Sequence, residues 1–192
     1  MSFGHTSSPE FFEAKYRQET DPWDFAISPY ELRRYETIMA ALAQRRSRRA
    51  FEPGCSVGVL TEQLANVCDT VEAIDFSPTA VARALERCAH LSNVQVRCAS
   101  IAECMPIEGF DLIILSEVGY YHSPSEWHGI VARLTSTMMP GATVLASHWV
   151  GVSADHRMSG DQVHDIIQCD PLLHLEHSER HDAFRLDRWE RI

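Results

Sequence analysis

Apolar positions recur along this chain at two different periods. Leu32, Tyr35, Ile38, Met39 and Leu42 fall three and four residues apart, the spacing that lines one face of a helix. Trp127, Ile130, Val131, Leu134 and Met138 repeat it. Between and beyond these stretches, short runs rich in Val and Ile predict strands over residues 50–52, 71–75, 94–98, 110–116 and 143–149. The run from Phe110 to Ser116 is dominated by apolar residues, as in a central strand covered on both faces. Two further strand-like segments, about 172–179 and 183–192, end the chain.

Punctuation residues delimit the helices. Ser8-Pro9 opens one that runs to about Glu19, and Asp21-Pro22-Trp23 is a turn. Ser28-Pro29-Tyr30-Glu31 and Ser123-Pro124-Ser125-Glu126 both set Ser and Glu at capping-box spacing. The basic run Arg45 to Arg49 closes the second helix, where positive charge suits the helix dipole. Further helices are expected over 59–67, over 78–90 after Ser77-Pro78, and over about 160–168. Strands alternating with helices predict an α/β domain with a mostly parallel sheet and right-handed crossovers.

Composition narrows the function. The 192 residues suit one domain, with residues 1–7 expected to fray. No apolar run approaches the ~18 residues of a membrane span, and no leader pattern opens the chain, so a cytoplasmic setting is expected. The balance of 27 acidic against 17 basic residues disfavours nucleic acid and anionic lipid and favours cationic ligands. Six cysteines form no C-x-x-C pair. Lys15 is the only lysine; it follows no glycine, and Phe11 stands four residues before it. A phosphate-binding P-loop and a Tyr-x-x-x-Lys reductase pair are thereby excluded.

Chemistry concentrates after the first strand. Glu52-Pro53-Gly54-Cys55-Ser56-Val57-Gly58 joins a strand to a helix, and Asp75 ends the next strand 21 residues after Gly54. Glycines permit tight turns and close backbone approach, and a strand-end carboxylate at this spacing accepts hydrogen bonds from ribose hydroxyls. A tight turn followed by a helix-capping aspartate is the plainer reading. Ser56 stands where a dinucleotide site needs its middle glycine, and Glu52 would repel a pyrophosphate. A nucleoside with a cationic end is the ligand expected.

This loop resembles motif I of class I S-adenosylmethionine-dependent methyltransferases. Val71 to Asp75 followed by Phe76-Ser77-Pro78 looks like the family's ribose-binding strand, Phe110 to Glu117 like its motif IV, and Met139-Pro140-Gly141-Ala142 like its Pro-Gly-Gly turn. Asp21-Pro22-Trp23-Asp24-Phe25, Ser28 to Tyr35 and Ser116 to Tyr121 resemble the NodS-like branch, whose type member methylates an amino-sugar nitrogen. The resemblance implies a Rossmann-like, seven-stranded sheet with helices on both faces. Residues 50–149 would form the cofactor-binding core, 1–46 an N-terminal helical lid and 150–192 a substrate-side segment, within one domain over 1–192. The implied cofactor is S-adenosylmethionine, leaving as S-adenosylhomocysteine. It would be held by Glu52, Gly54, Cys55, Ser56, Gly58, Asp75, Phe76, Ser77, Ser100, Ile101, Ser116 and Arg34. Ser56 in place of glycine, and Cys98-Ala99-Ser100-Ile101 where many members carry Gly-Asp, are departures from the pattern.

An amine acceptor must lose a proton before it attacks a methyl group, so a carboxylate and an imidazole are sought near the strand ends. Glu117 is the candidate to orient the amine, and His122 and His148 are the candidate bases. Trp23, Tyr30, Tyr120, Tyr121 and Trp149 are the aromatic candidates for the acceptor pocket. Surface or packing roles are the alternatives for each histidine, and a surface position for Arg34. His148, Asp155, His156 and His164 form no compact metal motif, so no metal is expected. O-methylation on the same fold, a nucleotide-dependent oxidoreductase and a non-catalytic adenosyl-binding protein are the rival functions.

Overall fold

The computed structural model describes residues 8–43, 46–103 and 109–192. Seven strands form one sheet: β1 (Ser47–Pro53), β2 (Cys68–Asp75), β3 (Val94–Cys98), β4 (Leu112–Ser116), β5 (Thr143–Trp149), β6 (Leu173–Arg180) and β7 (Phe184–Arg191). Their order is β3-β2-β1-β4-β5-β7-β6. Neighbours among β1 to β5 pair in parallel, whereas β7 pairs antiparallel with both β5 and β6. The helices are α1 (Pro9–Gln18), α2 (Pro29–Leu42), α3 (Val59–Leu64), α4 (Pro78–Arg87), α5 (Pro124–Thr137) and α6 (Gly160–Gln168). None of them is long and apolar enough to cross a membrane.

The two-residue period of a strand divides the core. Ile113 and Leu115 of β4 pack with Phe110, Trp127, Ile130 and Leu134 on one face of the sheet, while Leu112 and Ile114 pack with Ile38, Leu60, Leu64 and Leu145 on the other. Every β4 residue is therefore buried, as its apolar run predicts. Trp127 and Trp189 are wholly enclosed, and each ring N–H has a partner: Val163 O at 3.2 Å and Gln168 Oε1 at 2.8 Å. The direction of strand order reverses between β1 and β4. In sheets of this kind a ligand crevice opens there, beyond the carboxyl ends at Pro53 and Ser116.

Three sequence expectations need correction. The basic run does not close α2. Arg48 and Arg49 lie in β1, their backbone N–H groups donating to Asp111 at 2.9 and 2.8 Å. Arg49 pairs with Glu72 of β2 and lies over Phe110, and Arg46 reaches Asp69 at 2.6 Å. These arginines are thus spent on acids of the neighbouring strand rather than on a helix end; Arg45 lies outside the described residues. Ser28 makes no side-chain capping bond, and Glu31 turns instead to Arg34 at 2.6 Å. The box at Ser123 and Glu126 is complete. Helices α3 and α4 stop at Leu64 and Arg87, each three residues short of the expected end.

Candidate active site

A cleft of about 720 Å³ opens at the β1–β4 reversal. Its first wall is the loop after β1. Gly54 adopts φ +73°, and a Cβ there would overlap the Val118 side chain from the loop after β4. Glycine is thus required by backbone conformation and by the meeting of two loops. Ser56 takes the same left-handed region at φ +52°. Its hydroxyl accepts from Tyr16 at 2.7 Å, and its N–H donates to Asp75 Oδ2 at 3.0 Å. Asp75 Oδ1 accepts from the Ser77 N–H at 2.9 Å. Burial pushes the Asp75 carboxyl up to about 6, against these backbone bonds. Glu52, buried and bonded by Thr61 Oγ1 at 2.6 Å, is pushed by burial up to about 8.

The floor is an ionic cluster around Arg34. This side chain is wholly buried; it donates to Glu31 and, at 2.7 Å, to Ser116 Oγ, and lies 3.6 Å from Glu117 Oε1. Burial works against its charge, but Glu117 and Glu31 outweigh that and raise its pKa. A surface position for Arg34 is thereby excluded. Glu117 sits at φ +58° and accepts from the Trp149 N–H at 2.9 Å and from the Tyr120 hydroxyl. Its carboxylate is thus clamped in one place, with a small exposed fraction of 15% facing the cleft.

Helix α1 closes one side. Glu13 accepts from Ser77 Oγ at 2.5 Å and Thr79 Oγ1 at 2.6 Å, and Arg83 reaches back to the carbonyls of Glu19 and Thr20. Phe12 then meets Trp23, Phe76 and Tyr121, with ring centroids 4.8–6.0 Å away.

Most of the residues singled out from sequence line this cleft: Glu52, Gly54, Cys55, Ser56, Asp75, Phe76, Ser100, Ile101, Ser116, Arg34, Glu117, His122, Trp23, Tyr120 and Tyr121. Five do not. Gly58 caps α3, and a Cβ there would press on Ala84 of α4 at 3.0 Å, a packing role. Ser77 caps α4 and supports Asp75. Tyr30 packs on Phe184, and Trp149 contributes its backbone N–H to Glu117. His148, taken above as a candidate base, is fully buried behind the 119–121 turn. His122 does line the cleft; it stacks on Trp127, and burial lowers its pKa, which favours the neutral ring. Phe12, Tyr16, Glu31, Glu126 and Arg157 also line it and were not foreseen. Phe12 and Tyr16 share one helix face at four-residue spacing, a signal for burial but not for a cleft wall. No cluster of three or more His, Cys, Asp or Glu side chains among the described residues is arranged to hold a metal ion.

Comparison with known proteins agrees with this architecture. The family model "Nodulation protein S (NodS)" matches residues 11–175. Nodulation protein S of Bradyrhizobium diazoefficiens is 33% identical over 132 residues, an alignment covering 65% of this chain and 61% of that protein. The chain thus spans about 61% of the length of that relative and 52% of its Rhizobium tropici counterpart. The crystal structure of N-methyltransferase NodS from Bradyrhizobium japonicum WM9, in complex with S-adenosyl-L-homocysteine, superposes with a TM-score of 0.82 at 22% identity, covering 94% of this chain and 97% of that one. A candidate methyltransferase from Pseudomonas syringae is 31% identical, with a TM-score of 0.73 over 84% of this chain and 99% of its own.

Proposed function

The chain belongs to the nodulation protein S (NodS) family, and from that premise we propose that it is an S-adenosylmethionine-dependent methyltransferase acting on an amine of a polar small molecule, with amino sugars among the acceptors to test. The observation that carries this reading is the pairing of Asp75 with the glycine loop on one side of the cleft and a clamped Glu117 on the other. A reducing cytoplasmic setting belongs to the reading; the cysteines among the described residues are free thiols.

The cleft residues fit such a cofactor. Asp75 accepts backbone bonds from Ser56, Ser77 and Phe76, and of the roughly four acceptor sites of a carboxylate it keeps one for a ribose hydroxyl. Three of the five N–H donors of Arg34 are engaged and Glu117 lies against the same guanidinium, so the wholly buried side chain would lend a cofactor carboxylate its charge from beneath the cleft floor. Glu31, Asp75, Glu103, Glu117 and Glu126 line the cleft with Arg34 and Arg157, an acidic balance that favours cations even with Glu52 held protonated. S-adenosylmethionine supplies, when bound, a methyl group already activated on a sulfonium. What remains for the chain is positioning. Glu117 orients the acceptor ammonium, and His122, neutral at physiological pH, receives the proton it must shed. Residues 8–43 and the aromatic wall on α1 serve as the cover that excludes water.

Calorimetric titration with S-adenosylmethionine, S-adenosylhomocysteine and NAD, followed by a screen of amino sugars, other amines and phenols, tests the reading. Binding of the two adenosyl ligands and not NAD is expected, with methylation confined to amines. Glu117→Gln is expected to keep cofactor affinity and lower kcat/KM for an amine by about tenfold or more. Methylation of hydroxyls alone would replace the amine reading by O-methylation. Cofactor binding with no acceptor turned over would favour a non-catalytic adenosyl-binding protein.

A further inference from the structure

Three buried titratable side chains run in line behind the cleft. The Gly119 N–H donates to His148 Nε2 at 3.1 Å, His148 Nδ1 lies 3.1 Å from His164 Nε2, and His164 Nδ1 lies 2.8 Å from Asp187 Oδ2. They come from β5, α6 and β7, and none of the three has any exposed surface.

One end of this chain dictates where every proton sits. A backbone N–H can only donate, so His148 Nε2 is the bare nitrogen and its ring proton is on Nδ1. That proton is donated to His164 Nε2, which places the second ring's proton on its own Nδ1, facing the Asp187 carboxylate. All three bonds then point the same way and both rings are neutral. Reversing either tautomer would set donor against donor where no water can compensate. The surrounding charges agree. Burial, then His164, Arg34 of α2 and His156 lower the His148 pKa far below its ordinary value. Burial also lowers that of His164, against Asp187, with Arg185 and Asp161 also nearby. Arg185 Nε meets the same Asp187 oxygen at 2.7 Å, fixing the acceptor end.

The chain ends on the segment that faces the acceptor. Gly119 opens a 3-10 turn over Gly119–Tyr121, pressed so closely on Val163 and Trp127 that a Cβ on Gly119 would collide with both. The next residue, Tyr120, donates to Glu117, and its ring lies 5.4 Å from that of His148. We propose that His148, His164 and Asp187 are positioning residues: a hydrogen-bond chain of one fixed direction that seats the 119–121 turn, and through Tyr120 holds Glu117 in place for the methyl acceptor. The effect on rate rests on the methyltransferase reading; the direction of the chain does not.

Two measurements test it. Nitrogen-15 NMR of the imidazole rings in the unaltered protein should find the proton on Nδ1 of both His148 and His164 from about pH 6 to about pH 8; a proton on Nε2 of either ring overturns the proposal. His164→Phe removes the acceptor for His148. It is expected to lower kcat by about tenfold or more while cofactor affinity stays within about twofold, since the cofactor loops hang from other strands. Asp187→Asn still offers an oxygen to His164 and Arg185, and is expected to retain the tautomers and most of kcat. A folded His164→Phe protein with unaltered kcat overturns the proposal. If that variant does not fold, Asp187→Ala takes its place with the same expectations. Should no acceptor be methylated at all, the functional reading falls, while the ring protons still decide the chain.

Discussion

Ser56 and Glu117 hold left-handed backbone without being glycine, and both line the cleft. Such residues cost about 1 kcal/mol or more each and persist where their surroundings over-determine them. Here Tyr16 and Asp75 hold Ser56, and Arg34, Tyr120 and Trp149 hold Glu117. Glu52 stores a different tension. Its carboxyl stands at about 8 in the folded protein against an ordinary 4.5. Below the ordinary value both states carry the proton. As pH rises from there through about 8 the unfolded chain ionises first, so stability is lost across that window. Glu52→Gln should therefore raise Tm more at about pH 8.5 than at about pH 5, by at least about 2 °C at the higher pH. Equal gains at both would show that Glu52 ionises normally. At this scale the sequence exposes residues whose type is demanded by local chemistry: Gly54, Asp75 and Glu117 are legible because a turn or a strand end needs them. Arg34 and His148 are not. A helix arginine or a strand histidine reads the same whether it meets water, a carboxylate or another ring.

Two segments with the same Ser-Pro-x-Glu pattern behave differently as helix starts. Ser123 and Glu126 exchange both bonds of the capping box at α5, whereas at α2 Glu31 is taken by Arg34 and Ser28 caps nothing. Ser123→Ala should accordingly cost about 1 kcal/mol, read as a fall in Tm of about 2–4 °C, while Ser28→Ala leaves Tm unchanged in thermal unfolding. Equal losses in the two variants would mean that the pattern caps both helices after all. Elements whose signal is a period were readable in advance: β3, β5 and α6 have the bounds their sequence predicts. Apart from the helix ends of α3 and α4, misreadings came where a charge changed partner. Arg46 and Arg49 look like a helix end until Asp69 and Glu72 are seen beside them.

For the whole molecule, alternation of strand and helix was enough to foresee a mostly parallel sheet and seven strand segments, and the family resemblance joined them into one Rossmann-like sheet. How α1 lies on that sheet was not foreseeable, because its contact from Tyr16 to Ser56 bridges 40 residues with no motif to announce it. That helix rests on the loop carrying Ser56 and on Phe76, Ser77 and Thr79, the side of the cleft assigned to the nucleoside. A nucleoside seated there, as the proposed function has it, would lie against α1, and an α1 that closes over it would control its entry and exit. On the proposed function, such a closure predicts a compulsory order in which the nucleoside enters first and its demethylated form departs last. S-adenosylhomocysteine should then inhibit competitively against S-adenosylmethionine and non-competitively against the acceptor, and patterns diagnostic of random order would show that α1 sets no sequence. With the spent nucleoside competing for the site from which it leaves last, turnover on that reading would respond to the ratio of methylated to demethylated nucleoside around the protein as well as to the supply of acceptor.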